Sequence, residues 1–527
     1  MKATSTARRC RARVLASLVA GTLIIAACGS DESSTSSTSG STAPADSGAP
    51  STAGGGGGSS LVIAIADEPS TLDPQATEDG NERAVTDNIY ETLVRRNSAT
   101  NELEPLLATE LPTQVDDTTW EFKLREGVTF SNGDPFNAEA AAFSINRVMD
   151  EEYNSAQRDF YGGIVKATAV DDLTVQVTLA EADPVFPARM YRLKMMSPTA
   201  TDDSIVEKPV GTGPYVMESW DRGQQVVLKA NPTYWGEQPS ITDVTMKFIP
   251  QASTRVAGLQ SGEIQLATLI PPEQAGDAPK VISRNGIEFP VYRLKNYEGV
   301  LQDPRIRQAM NYAVDKEALA NDLFSGYATV AQCQPLTEAH FGYNPDLQPY
   351  PYDADKAREL MKDAGYNGEP ISLLGATGRW LKDAEMTEAV IGYLTEVGFN
   401  IKSDIRPFSS YIDEFVKNVG NPQPDIGFVS ASNELFDASK IESYYSSTGA
   451  LSSFVNDDVD AALAAARAES DETKRAADFA DATSIGCTDD PVFIFTVNLQ
   501  DIYGAADNLN WEPRADGSLY IPEMSLG

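Results

Sequence analysis

Residues 61–65 run Leu-Val-Ile-Ala-Ile without a polar break, and so short an apolar run, rich in β-branched side chains, predicts a buried strand. Glu68, Pro69, Asp73 and Pro74 break that run into a loop, and Ile89 and Leu93 then share one face of a helix expected over 85–94. From 119 to 130 the period changes. Trp120, Phe122 and Leu124 alternate with Glu121, Lys123 and Arg125, which predicts a strand with one apolar face. Glu126-Gly127 is expected to turn the chain, so that Val128 and Phe130 return as the second arm of a hairpin. Residues 173–179 alternate in the same way, and a helix is expected over 138–149 after the turn signal Asn132-Gly133-Asp134-Pro135. Asp303-Pro304 supplies a cap and a first-turn proline for a helix carrying Ile306, Met310, Ala313 and Leu319. Asp353 caps another, with Ala357, Leu360 and Met361 inward and Gly365 as its stop. Strands interleaved with helices on this scale predict an α/β protein.

The first 60 residues follow a different logic. Lys2, Arg8, Arg9, Arg11 and Arg13 precede an apolar stretch, 14–27, which is shorter than the roughly 20 residues a membrane-spanning helix needs. It closes on Ile25-Ala26-Ala27-Cys28, and small residues before a cysteine resemble a bacterial lipobox. Residues 1–27 are therefore expected to be a lipoprotein signal peptide and Cys28 to become the acylated N-terminus. Residues 28–60 are mostly Ser, Thr, Gly, Ala, Pro and Asp, which bury no core; they are expected to form a disordered tether spanning roughly 30 Å. The rest of the chain is long enough for two or three cores.

Formal charge narrows the partners. It is −36, and about −41 once the leader's five basic residues are removed, so nucleic acid is excluded and anionic lipid headgroups are repelled. Outside the leader and Cys28 two cysteines remain, Cys333 and Cys487, and in an exported chain they are expected to form a disulfide. His340 is the one histidine in the sequence, which argues against a zinc or nickel site, and no G-x-S-x-G nucleophile elbow lies near it. It is expected on the surface or in a loop. No catalytic residue, metal or cofactor is expected.

Eight segments, taken together and in order, carry a family likeness. They are 68–74 with Leu72-Asp73-Pro74, Pro105-Leu106-Leu107-Ala108, 122–130 followed by Gly133, and Pro209-Val210-Gly211-Thr212-Gly213-Pro214-Tyr215. The others are Asn231-Pro232-Thr233-Tyr234-Trp235, Gly262-Glu263-Ile264, 305–309 with Ala313-Val314-Asp315, and 355–360. In this order they resemble family 5 of the extracellular solute-binding proteins, the large peptide, dipeptide, nickel and opine receptors of ATP-driven (ABC) importers. The resemblance implies a two-lobed α/β fold of the type II periplasmic-binding-protein kind, with an extra domain packed on lobe I. Lobe I would comprise 61–96, 205–290 and 490–527, the extra domain 97–204, and lobe III 291–489. Ligand would lie between lobes I and III and favour their closure. The implied partners are a small solute, permease subunits in the membrane, and the membrane itself through the lipid anchor. The chain would act as a monomer, held on the outer face of the cytoplasmic membrane, at the cell surface or in the periplasm.

The resemblance also nominates ligand contacts. The loop after Leu72-Asp73-Pro74 gives Glu78 and Gly80; the segment after Gly262-Glu263-Ile264 gives Thr268 and Leu269; Tyr292 lies near the crossing into lobe III. The loop after 371–374 holds Arg379, Trp380 and Lys382, where a Trp flanked by cations suits a platform and anion clamp, or else Trp380 caps the helix 383–397. Peptide receptors of the family carry a Trp and, three residues on, an Asp that pairs with the peptide's ammonium group. Ungapped, Ala431 falls at the Trp and Glu434 at the Asp, so the carboxylate is kept and the aromatic is lost. The function implied is a binding protein for a peptide or peptide-like solute; the alternatives are an opine or sugar receptor of the same fold, or a sensor subunit.

Overall fold

The computed structural model describes residues 59–77, 80–200, 204–417 and 424–527. The expected signal peptide, Cys28, nearly all of the tether and Glu78 lie outside the described residues. Ser59–Ile65 is a central strand of an eight-stranded mixed sheet, with parallel neighbours on both sides, Ile241–Phe248 and Leu266–Ala267. A strand so placed is covered on both faces, hence its unbroken apolar run. Val497–Ala505 and Lys280–Asn285 extend the sheet on one side and Gln225–Ala230 and Tyr215–Asp221 on the other; Ala328–Val330 adds to Val497–Ala505.

Against this sheet lies the helix Gly80–Ile89, which begins and ends five residues earlier than expected. Its end is set from outside. The Gly213 N–H bonds the Ile89 carbonyl at 2.9 Å, and a Cβ on Gly211 would fall 2.0 Å from that oxygen. The Gly-Thr-Gly motif is a close approach of two backbones, and Val94–Arg96 is already strand.

A four-stranded antiparallel sheet has the order Thr113–Asp116, Thr119–Lys123, Thr174–Leu179, Ile164–Asp171. The hairpin expected over 119–130 is therefore displaced. Thr119–Lys123 pairs backwards with Thr113–Asp116, while Val128 and Phe130 are buried without joining the sheet. Alternation showed which face was apolar but not which strand lay alongside. The helix Ala138–Met149 covers this sheet, capped by Asn137, whose Oδ1 accepts the Ala140 N–H at 3.0 Å.

The third sheet has five strands in the order Asn400–Pro407, Pro370–Thr377, Ile426–Ser432, Glu288–Leu294, Phe493–Phe495. Helices Pro304–Ala313, Ala354–Asp363 and Asp383–Val397 pack on it, the first two capped by Asp303 and Asp353 as expected. The first stops at Ala313 rather than running to Leu319. Val314 is extended, Asp315 caps a new turn, and the Lys316 ammonium is buried on the Asn311 carbonyl at 2.6 Å. Two crossings join this sheet to the eight-stranded one, at Gly286-Ile287 and at Thr496. Cys333 and Cys487 are bonded, both fully buried, with Cα atoms 5.5 Å apart. Among the described residues no helix is long and apolar enough to cross a membrane.

Candidate ligand site

The strand Ile426–Ser432 exposes its site-forming side chains on one face, because alternate residues of a strand point the same way. Phe428, Ser430 and Ser432 share that face. Phe428 packs on Trp380 with ring centroids 5.4 Å apart. The Ser430 hydroxyl donates to Glu288 Oε2 at 2.6 Å, and the Ser432 hydroxyl donates to Glu434 Oε1 at 2.5 Å. Burial pushes the Glu288 carboxyl up, Ser430 and Arg379 pull it down, and the charges of Asp501 and Glu434 raise it further, with a net rise. For Glu434 burial again acts upward, but the Ser432 hydroxyl and the charges of Lys440 and Arg192 outweigh it and hold the group ionised.

Beyond Glu434 the sheet face opens into a cavity of about 600 Å³, within the range of small-molecule sites. One wall comes from 159–192, the other from 434–479. The loop carrying Glu434 is gripped from the opposite wall. Tyr191 donates its hydroxyl to the Glu434 carbonyl at 2.9 Å, and Arg96 donates to the Leu435 carbonyl. The Arg96 guanidinium lies 4.9 Å from the Tyr191 ring and 4.6 Å from that of Phe436, which has a left-handed backbone at φ 53°. Behind the loop, buried Arg475 forms a bidentate pair with Asp437 at 2.6 and 2.9 Å. The loop is fixed on both sides, so Glu434 is held in place before any ligand arrives.

The other nominated residues fall in different settings. Thr268 and Leu269 present their carbonyls to buried Arg255 at 3.1 and 2.7 Å, which leaves Leu269 in a left-handed backbone (φ 51°) with its side chain 60% exposed. An apolar side chain held outward at that cost suits a contact surface. Lys382 also has a positive φ and reaches across to Glu273 at 3.1 Å. Arg379 is exposed, and Asp383 gathers the N–H groups of Gly378, Arg379 and Trp380. The Trp380 ring is packed edge-on against Phe408 and Phe428, so much of it belongs to the core. Gly80 begins its helix and is exposed. Tyr292 is fully buried, its hydroxyl on Thr387 at 3.1 Å, and presents no surface to a cleft. The chain brings Arg379 and Glu434 into one electrostatic neighbourhood through Glu288; Tyr292 stands apart from it.

Sequence reading missed Glu288, Lys440, Arg96 and Asp501. Asp501 interrupts the apolar strand Val497–Ala505, which was a usable signal; burial raises its carboxyl to about 6. A Cβ on Gly286 would lie 3.2 Å from that carboxylate, which is why the crossing uses glycine. His340 is in a loop but not on the surface: it is buried between Phe289 and Phe436, at 5.6 and 5.1 Å. A second cavity, about 70 Å³, is ringed by charges that satisfy one another, such as Asp87 with Lys194 at 2.7 Å and Ser518 at 2.6 Å, and reads as structural.

Residues 102–452 match the bacterial extracellular solute-binding proteins, family 5, in its middle portion. The chain belongs to this family. It is 33% identical over 325 residues to the glutathione-binding protein GsiB of Shigella flexneri, covering 59% of this chain and 63% of that protein. The chain thus matches less than two thirds of that relative's length. HbpA2 from Haemophilus parasuis superposes with a TM-score of 0.80 at 22% identity, over 89% of this chain and all of that one. DppA from Helicobacter pylori, in complex with the peptide STSA, gives 0.69 at 25% identity over 89% and 98%. The fold is that of the type II periplasmic binding proteins, as the family resemblance implied.

Proposed function

We propose that this protein is a lipid-anchored receptor outside the cytoplasmic membrane that closes around a peptide or peptide-like solute and presents it to the permease of an ABC importer. The observation that carries the reading is Glu434, an ionised carboxylate fixed at the edge of the 600 Å³ cavity. Such a group suits a ligand ammonium. The relatives support the same class, since one is named for binding glutathione and another was solved with a bound peptide. Two lobes, 61–96 with 205–290 and 490–527 against 291–489, would hinge at the crossings near Gly286 and Thr496, with 97–204 riding on the first. Solute in the cavity would touch 159–192, on the domain riding on the first lobe, and Glu434 on the second, and so favour the closed form.

Native mass spectrometry of the purified protein, followed by denaturation, is expected to release peptides. Glu434→Gln keeps the shape and removes the charge, and should weaken peptide binding by roughly 10- to 100-fold in calorimetry. A single non-peptide solute in the released fraction, with Glu434→Gln silent, would overturn the peptide reading. Anchoring is tested separately: protein extracted from membranes should have a mass that starts at an acylated Cys28. A soluble mature chain cleaved elsewhere would rule the anchor out.

A further inference from the structure

Three side chains from 61–204 end on backbone carbonyls of 291–489. The turn 97–102 is closed by the Asn101 N–H on the Asn97 carbonyl at 2.9 Å and leaves Asn101 in a left-handed backbone (φ 61°), which asparagine tolerates. The Asn101 amide then donates to the Ala339 carbonyl at 3.0 Å. The Tyr191 hydroxyl accepts from Arg192 Nε at 2.8 Å, so its own proton goes to the Glu434 carbonyl. Arg96 donates to the Leu435 carbonyl and, on its own side, to that of Asn101 at 2.8 Å. A fourth link is ionic, Lys382 to Glu273 at 3.1 Å, and it joins the same two parts of the chain.

Arg96 is central to this set. It is 6% exposed and makes no ion pair among the described residues; Asp516 and Asp437 act on it only at longer range. Arg514 fixes it from behind by donating to the Arg96 carbonyl at 2.5 Å. Its guanidinium meets the Tyr191 ring at 4.9 Å and the Phe436 ring at 4.6 Å. Burying a guanidinium without a carboxylate is costly. The Leu435 carbonyl and the Phe436 ring offset part of that cost only while the lobes are together. Separation would remove both and return the group to water. Closure and hydration therefore compete at one side chain, and every contact on the closed side comes from the chain itself.

We propose that Arg96 is a bolt between the lobes and that, with Tyr191 and Asn101, it draws the receptor closed without solute. This rests on the two-lobed receptor reading above and names what regulates its closure. Solute then enters through a minor open form, so opening limits the association rate. The test is double electron–electron resonance on the full-length protein in detergent, freed of co-purified solute. Spin labels are carried by Glu237→Cys and Lys402→Cys, one exposed site on each lobe. The labelled parent should give one short distance. Arg96→Lys keeps the charge but not the planar fork, and should raise the ratio of open to closed forms roughly 20-fold, seen as a second, longer distance. Tyr191→Phe, which loses a single oxygen, should raise it about fivefold. Arg358→Gln, at an exposed pair with Asp355 inside one helix, should change nothing. A parent found mostly at the longer distance, or a short distance that Arg96→Lys and Tyr191→Phe leave intact, overturns the bolt and leaves the receptor. Because no solute is used, failure of the peptide reading shows separately, in the fraction released from the native protein.

Discussion

Replacing Cys333 and Cys487 together by alanine is expected to lower the unfolding free energy by about 5 kcal/mol, the chain-entropy value for a cross-link across 154 residues. That is a large share of the 5–15 kcal/mol typical of folded domains, so the variant should unfold at much lower denaturant. The bond also supports the site. Cys487 lies just past the helix Glu472–Ser484, which carries Arg475, and Cys333 opens the loop that reaches His340 and Phe341. Phe341 bridges to Asp437, and the Arg475 guanidinium lies 4.7 Å from its ring. Loosening either end removes backing from the segment that holds Glu434. Peptide affinity should therefore fall along with stability. Denaturant unfolding of the intact and Cys-free proteins, read in parallel with calorimetry, checks both; a stability change under about 1 kcal/mol would mean the cross-link is not what restrains this loop.

The elements legible in the sequence were those whose causes are local. Asp303 and Asp353 cap helices because an acceptor needs only the N–H groups two or three residues on, and the doubly covered strand Ser59–Ile65 announces itself by having no polar position. The hairpin at 119–130 failed because strand pairing is decided by a partner, and the partner lay upstream. The site divides in the same way. Glu434 was reached through a motif, but Lys440 sits on an inconspicuous turn and acquires meaning only when the Arg475–Asp437 pair fixes it beside the cavity. Arg96 and Tyr191, far away in sequence, grip the Glu434 loop through its backbone carbonyls, which no side-chain pattern records. Tyr292 shows the converse error: its place near a crossing was right, and the helix Asp383–Val397, whose Thr387 bonds it, covers it completely.

Two buried groups should give stability opposite dependences on pH. Burial, aided by the charge of Arg96, lowers His340 from 6.5 to about 4, and the Thr337 N–H donated to Nδ1 at 3.1 Å requires that nitrogen to be unprotonated. The unfolded chain gains a proton at this residue as pH falls below 6.5, while the folded chain resists until about 4. Stability is thus present above 6.5 and is lost through that window, by about 3 kcal/mol. Glu91 runs the other way. Burial raises it from 4.5 to about 7 despite hydrogen bonds from Trp235 at 2.7 Å and Tyr234 at 2.9 Å. Its contribution is complete below 4.5 and is lost as pH rises to 7, again by about 3 kcal/mol. Because the two windows overlap, each masks the other in the unaltered protein. Relative to it, His340→Gln should gain stability as pH falls from 6.5 to 4, and Glu91→Gln should gain stability as pH rises from 4.5 to 7. Denaturant unfolding at four pH values between 4 and 7 reads both slopes, and parallel curves for all three proteins would show that neither group titrates in the folded state as its burial requires. His340 packs on Phe436, whose ring is also held by Arg96, so acid that protonates it acts on the segment carrying Glu434. Ligand affinity should consequently decline below pH 5 in the unaltered protein more steeply than in His340→Gln.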